Sequence, residues 1–492
     1  MSTFSAPSWK LRAFGCVSAL LYLTLFVVFW TDRDVEQPGL TQAIVYATIA
    51  ILTLVYFAGI RLVGQARLRD IVIYAALFAV IGFATGPFDS TDVYFYMAQG
   101  WQQAHYGVNP YSHVLRDTQL ETLDPMISSQ QMERNRNPWL DQPIPYGFGF
   151  ALLIRTIAWL GGGNWWLTFT LFNLLNVAIH ASVAVLLWKT AALIPGTTPK
   201  LIVYLYAWSP LVVLQYLANV HNDIIMASLI VLAFYFLLSG RERWVTPVLV
   251  VAGFVKYVAF ALVPFGLVFV YRRRSRVEAM KSAAMSLLAG MLISLPYVWD
   301  LRAFKLQQFL AQLSESTGSL HAFITFSYRA VMHHFFEGSV DLDAFSQTTK
   351  VMLWAIVAMF GIYQLRRAWL FSRSGPMEVA DRWTSILFAV VFIGSSQFYT
   401  WYIGMVFPLS LLGLGGSRLT DIIVLLSGTH MAFNFMRGKA IGYFLLTTAL
   451  PVMFVLWRNH KAPGLAVVKT RSGPLPSKEL QTERHGQLIT SG

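Results

Sequence analysis

The chain of 492 residues carries one cysteine, Cys16. No intramolecular disulfide can form, and no cysteine metal cluster is possible. Charge is also scarce. Asp, Glu, Lys and Arg make up 12% of the sequence, against about a quarter in a soluble domain. Acids are scarcer than bases, 24 against 37, for a formal net charge of +13. There is no glycine-rich phosphate loop and no nucleophile elbow, so neither a nucleotide cradle nor a serine hydrolase is expected. His221 and Asp223 are possible metal ligands, but no second half of a metal motif accompanies them; neither a metal nor a cofactor is expected. No internal repeat of the kind that builds inverted-repeat transporters is visible.

What the chain has in excess is hydrophobic residues, 56% of the total, at a mean hydropathy of +0.54. Apolar runs near the length of about 20 residues that crosses a bilayer recur along nearly the whole sequence. This pattern predicts an all-α polytopic membrane protein; a membrane β-barrel would show short alternating segments instead. The basic residues cluster in short loops between spans, which is the positive-inside pattern and not a nucleic-acid surface.

Orientation follows from those loops. The basic stretch after the second span, at Arg61, Arg67 and Arg69, places that loop and the N-terminus in the cytoplasm. The third span, 71–85, then runs outward. Asp89 and Asp92 emerge on the outer face, out of reach of cytoplasmic nucleotides. About fourteen spans are expected within a transmembrane region 1–457. Large outer loops cover about 86–164 and 300–347, and a polar, disordered cytoplasmic tail covers 458–492. An outer loop as long as 86–164 suggests function. Within it, residues 92–105 read as an amphipathic interfacial helix with Asp92, Tyr96 and Gln99 on one face. Gly107 suits its C-cap. The apolar segment 146–160 is too short to span and reads as a half-buried or re-entrant helix.

Several polar groups converge at the outer ends of spans in this topology, where ionisable residues are costly and often functional. Asp92 can serve as a general base with a pKa tuned by a partly dry site, or simply cap a helix. Lys256, in an otherwise apolar stretch, can hold a lipid phosphate as a point charge, or snorkel to the headgroups. His221, Asn222 and Asp223 can orient a substrate, or form a solvated turn. Arg329 could contact a phosphate. His333 and His334, being adjacent, read as loop residues. Trp401 and Tyr402 can stack on a sugar or join an interfacial aromatic belt.

Taken together, DVYFYMAQG with GVNPY, QPIPYGFGF, NVHNDIIMA, GFVKYVAFALVP and FYTWY with Pro408 resemble the polyprenol-phosphate-mannose-dependent α-1,6-mannosyltransferases. These are membrane glycosyltransferases of the GT-C class. The resemblance implies a GT-C-like bundle in a bacterial plasma membrane, with Asp92 of DVY as the catalytic aspartate. It implies a polyprenyl-phosphate sugar donor, most often mannose, used on the outer face with inversion, and a glycan or glycolipid acceptor. Lys256 and Arg329 would then meet the donor phosphate. Asp89, Tyr96, Gln99, His221, Asn222, Asp223, Trp401 and Tyr402 would line the substrate site. Two features depart from the pattern: the aspartate loop follows a third span, and Asp89, Ser90 and Thr91 replace an expected arginine before DVY. A lipid-linked sugar flippase, or another multi-span transporter, is the rival reading.

Overall fold

The computed structural model describes residues 9–31, 39–122, 124–127, 138–299, 304–305, 316–335, 341–370, 375–436 and 438–461. These residues form helices, and the only strand-like pairing among them is an isolated bridge of Thr317 and Gly318 with Gln397. The expected tail lies almost wholly outside the described residues, because the last helix continues to Lys461.

The first half of the chain contains α1 (Trp9–Thr31), α2 (Leu40–Gly59), α3 (Leu68–Thr85), α4 (Asp92–Tyr106), α5 (Leu115–Thr122), α6 (Phe148–Gly161), α7 (Trp165–Ala191), α8 (Pro199–Ala207) and α9 (Pro210–Ala218). The second half contains α10 (Asp223–Leu238), α11 (Val245–Val255), α12 (Val263–Arg273), α13 (Arg276–Ser294), α14 (Leu320–Phe335), α15 (Leu342–Leu370), α16 (Pro376–Phe388), α17 (Ile403–Ser410), α18 (Arg418–Ala432), α19 (Ala440–Phe444) and α20 (Leu450–Lys461).

Among the described residues, seven helical stretches are long and apolar enough to cross a membrane, and the bent pair α8–α9 would make an eighth. Their outward faces are apolar. On α13, Met280, Leu287, Leu288, Met291 and Leu292 are all exposed. Such continuous apolar exposure suits hydrocarbon and not water. The remaining expected spans are short or broken. α8 and α9 bend by 45° at Ser209, where Pro210 forbids a continuing helix. α9 then widens into a π-turn over Val213–Ala218. α11 stops at Val255 because Lys256 is extended. These interruptions lie in the segments that carry the candidate site, where freed backbone groups are tolerated because protein surrounds them.

α4 differs from the expected interfacial helix. It packs on α6, and Val93, Tyr96, Met97, Gln99, Gly100 and Gln103 are all buried. Gly107 closes it in the left-handed region, as a C-cap glycine should. The 14-residue α6 is about 21 Å long at 1.5 Å per residue, too short to span. His333 and His334 are helical, in the last turn of α14, and not in a loop as expected. Their adjacency only means that they point to different sides of that helix.

Candidate active site

The site starts from a strained turn. α9 ends with the Asn219 amide donating to the Leu214 carbonyl and the His221 amide donating to the Gln215 carbonyl. Between them Val220 sits at φ 59°. Helix ends of this type usually place glycine there, and a β-branched residue in that region is an outlier. Asn176, from the middle of α7, donates to the Tyr216 and His221 carbonyls at 2.9 and 3.3 Å. A polar residue inside a span thus holds the turn in place.

The turn presents His221, Asn222 and Asp223 at 0%, 1% and 0% exposure, so it is not a solvated loop. Nor does the Asn222 side chain cap α10. His221 lies 4.0 Å from the Trp401 ring, stacked at 15°, and Trp401 stacks in turn on Tyr399. QFYTWY therefore supports the site from within. Asp223 receives a 2.6 Å ion pair from Lys256 through Oδ1. Lys256 also sits over the rings of Tyr402 and Tyr146, 4.9 and 5.6 Å from their centroids, close enough for cation–π attraction. It does not snorkel: its side chain is 11% exposed.

Asp92 opens α4, where the helix N-terminus favours a negative charge. Its amide donates to Ser90 Oγ at 3.2 Å. Tyr96, one turn on, donates its hydroxyl to Asp92 Oδ2 at 3.2 Å. The Tyr96 and Tyr146 hydroxyls meet at 3.3 Å. His221 Nδ1 lies 3.3 Å from the same Asp92 oxygen, a distance that ligand binding can tighten. Burial pushes the Asp92 pKa up, but His221, the Lys256 charge and Tyr96 outweigh it and hold the carboxyl below its usual range. The direction is opposite to the one expected for a base tuned towards neutrality. Burial and the Asp92 charge raise Tyr96 well above 10, so it stays a proton donor.

Tyr146 reaches this centre because of Gly147. A Cβ at Gly147 would lie 2.2 Å from the Phe254 carbonyl oxygen, so only glycine lets this loop lie on the end of α11. The Gly147 amide donates to the Val255 carbonyl at 3.3 Å, and Tyr146 is delivered beside Lys256.

Asp92, Tyr96, His221, Asp223, Lys256, Trp401 and Tyr402 thus form one connected cluster, with Asn222 buried between two of its members. Both amide atoms of Asn222 and Asp223 Oδ2 have no hydrogen-bond partner among the described residues, which leaves them available to a polar ligand. Gln99 is fully buried two turns along α4, its amide likewise unpartnered. Asp89 is held by three side-chain amides, from Asn219, Gln215 and Asn434. Arg329 is exposed, about 15 Å along α14 from Ser319, the residue that bonds to the Ser396 carbonyl beside QFYTWY. Sequence reasoning gave no part to Tyr146, Asn176, Asn219 and Asn434. An asparagine inside a span was the available signal for Asn176.

Multiple apolar helices around a buried acid, a buried cation and stacked aromatic rings define a multi-span membrane enzyme. A profile of the alpha-(1->6)-mannopyranosyltransferase family, N-terminal domain, matches residues 8–272, more than half of the chain, and the chain belongs to that family of mannosyltransferases. It is similar to Alpha-(1->6)-mannopyranosyltransferase A of Mycobacterium tuberculosis, with 24% identity over 399 residues, 77% of this chain and 73% of that protein. The matched region includes Asp89, Asp92, Tyr146, His221, Asp223 and Lys256; Trp401, Tyr402 and Asn434 lie beyond it.

Proposed function

We propose that this mannosyltransferase moves mannose from a polyprenyl-phosphate donor to a glycan or glycolipid acceptor on the outer face of a bacterial plasma membrane, with inversion at the anomeric carbon. The observation that carries the reading is the pairing of opposite functions in one buried cluster. Asp92 is an ionised carboxylate, and Lys256 is a cation held over two tyrosine rings within electrostatic reach of it. A displacement at a sugar carbon needs both, one to accept a proton and one to meet the departing phosphate.

In this mechanism the donor enters laterally, with its phosphate at Lys256. An ammonium has three donors, and Asp223 Oδ1 occupies one. The acceptor oxygen attacks the anomeric carbon as the bond from that carbon to the phosphate oxygen breaks. The hydroxyl proton passes to Asp92, and polyprenyl phosphate leaves with the electron pair. With a depressed pKa, Asp92 is a weak base towards a free alcohol. It receives the proton late, once bond formation has acidified the hydroxyl. Tyr96 holds the carboxylate in place with the His221 ring beside it, and Asn222 with Asp223 Oδ2 meets sugar hydroxyls.

The outer-face assignment is supported by how the basic loops gather. Lys200 Nζ donates to the carbonyls of Gly64 and Ala66 at 2.9 and 2.7 Å, and Arg12 pairs with Asp70. These groups cluster at the start of α3, and Asp89 and Asp92 lie past its other end. Positive-inside topology then makes the basic end and the N-terminus cytoplasmic.

The test is transfer from synthetic polyprenyl-phosphate mannose to a mannan acceptor by purified protein, with and without Asp92→Asn. The variant should lose about 10²- to 10⁴-fold in kcat, the range for a removed general base, while remaining folded. Normal transfer by a folded Asp92→Asn variant would refute the assignment. Movement of intact lipid-linked sugar without a covalent product would favour a flippase.

A further inference from the structure

Asp89 is a carboxylate that the proposed chemistry leaves unused, yet three side-chain amides donate to it. Asn219 donates to Oδ1, and Gln215 and Asn434 donate to Oδ2 at 3.4 and 3.2 Å. Asn219 Oδ1 accepts in return from the backbone amides of Phe88 and Asp89, at 2.9 and 3.5 Å. Asn219 and Gln215 are also bonded to each other at 3.1 Å. Asp89 thus joins three segments. Its own loop leads three residues later to Asp92. Asn219 is two residues before His221, on the near side of strained Val220. Asn434 follows α18.

The chain of bonds continues into the C-terminal helices. Thr400 donates to the Asn434 oxygen at 2.9 Å. The Tyr443 hydroxyl lies 3.3 Å from Thr400 and 2.9 Å from His430 Nδ1, and Thr448 closes the chain at 3.2 Å from His430 Nε2. His430, Thr400, Thr448 and Asn219 are all buried. Thr400 adjoins Trp401, whose ring supports His221. The segments that carry Asp92, His221 and Trp401 are therefore all tied to one carboxylate.

We infer that Asp89 is a positioning residue: it clamps the Asp92 loop to the His221 turn and to the C-terminal helices, and it does not touch substrate. The inference rests on Asp92 being the base. A carboxylate suits the role because it accepts at two oxygens and has no donor of its own to clash with three amides. Asp89 and Asn434 are half-buried and the rest of the network is buried; such networks fix geometry when their members are satisfied, and small displacements of a catalytic group are costly.

The experiment compares full-length Asp89→Asn, Thr400→Val, Asp92→Asn and the Asp89→Asn/Thr400→Val pair, using polyprenyl-phosphate mannose. Asp89→Asn should lower kcat by about 10- to 100-fold and leave the donor KM within about threefold. Thr400→Val, a milder change at the far end of the same chain, should lower kcat by a smaller factor with KM unchanged. The double variant should be little worse than Asp89→Asn, as expected for two members of one network. Asp89→Glu should recover part of the rate, because it restores both acceptor oxygens. A rise in KM at constant kcat would make Asp89 a substrate ligand, and a loss as deep as that of Asp92→Asn would make it a second base; either overturns the clamp. Additive losses would also overturn it. If Asp89→Asn does not fold, an unchanged kcat in Thr400→Val refutes the network. An active Asp92→Asn enzyme would refute the base assignment instead, whatever Asp89 does.

Discussion

Replacing Lys256 by methionine separates the stability of the site from its chemistry. The Lys256–Asp223 contact is 2.6 Å. At an effective dielectric of 20 the attraction across that distance is about 6 kcal/mol. Withdrawing both ions from water costs several kcal/mol each, so the intact pair contributes little net stability. Breaking it is different. Asp223 is fully buried and its second oxygen is already unpartnered, so Lys256→Met strands a charge that water cannot reach. The expected loss is about 3–5 kcal/mol. Asp223→Asn should cost less, about 1–3 kcal/mol, because Lys256 is partly exposed and lies over two aromatic rings. The double variant should recover most of the stability lost in Lys256→Met, giving a coupling of about 2 kcal/mol or more. None of the three should transfer mannose at the normal rate, since the phosphate contact or its orientation is lost. The assay is denaturant unfolding in mixed micelles beside steady-state transfer. A loss below about 1 kcal/mol for Lys256→Met, or strict additivity in the cycle, would refute the account of a buried, mutually dependent pair.

Other consequences can be checked singly. Because the folded-state pKa of Asp92 is depressed, its contribution to stability is present above its ordinary value of 3.8 and is lost as pH falls through the lower folded value; a kcat/KM profile should show no acid limb from Asp92 above 3.8. Gly147→Ala must push the Phe254 carbonyl aside, so about 1–3 kcal/mol of stability should be lost, together with activity, as measured by unfolding and transfer. Val220→Gly should be more stable than Val220→Ala: both lose the buried side chain, but only glycine also relieves about 1–2 kcal/mol of left-handed strain. Trp401→Leu should reduce kcat by about 2- to 10-fold, the equivalent of the 0.5–1.5 kcal/mol carried by an aromatic stack, with folding retained.

Length and composition of the apolar runs, set against scarce charge, were enough to specify an all-helical membrane protein, because hydrocarbon accepts little else. Asp92, His221, Asp223 and Lys256 were also legible, since polar groups in apolar segments carry a cost that function commonly explains. Their relation was not. The sequence alone is compatible with a snorkelling Lys256 and a solvated turn at His221; only the packed structure shows Lys256 on Asp223 and His221 on Trp401. Uninterrupted hydropathy likewise suggested a full span over 201–217, where the chain in fact bends at Ser209. Hydropathy sums side chains over a window, whereas that bend is a local backbone event at Pro210, and the placement of the polar turns depends on neighbours far away in sequence: Asn176 on the His221 turn, Phe254 against Gly147, Asn434 on Asp89. The class of protein is thus a property of composition, fixed by solvent. The site is a property of contacts between distant segments, and tertiary packing alone decides which of the polar residues meet.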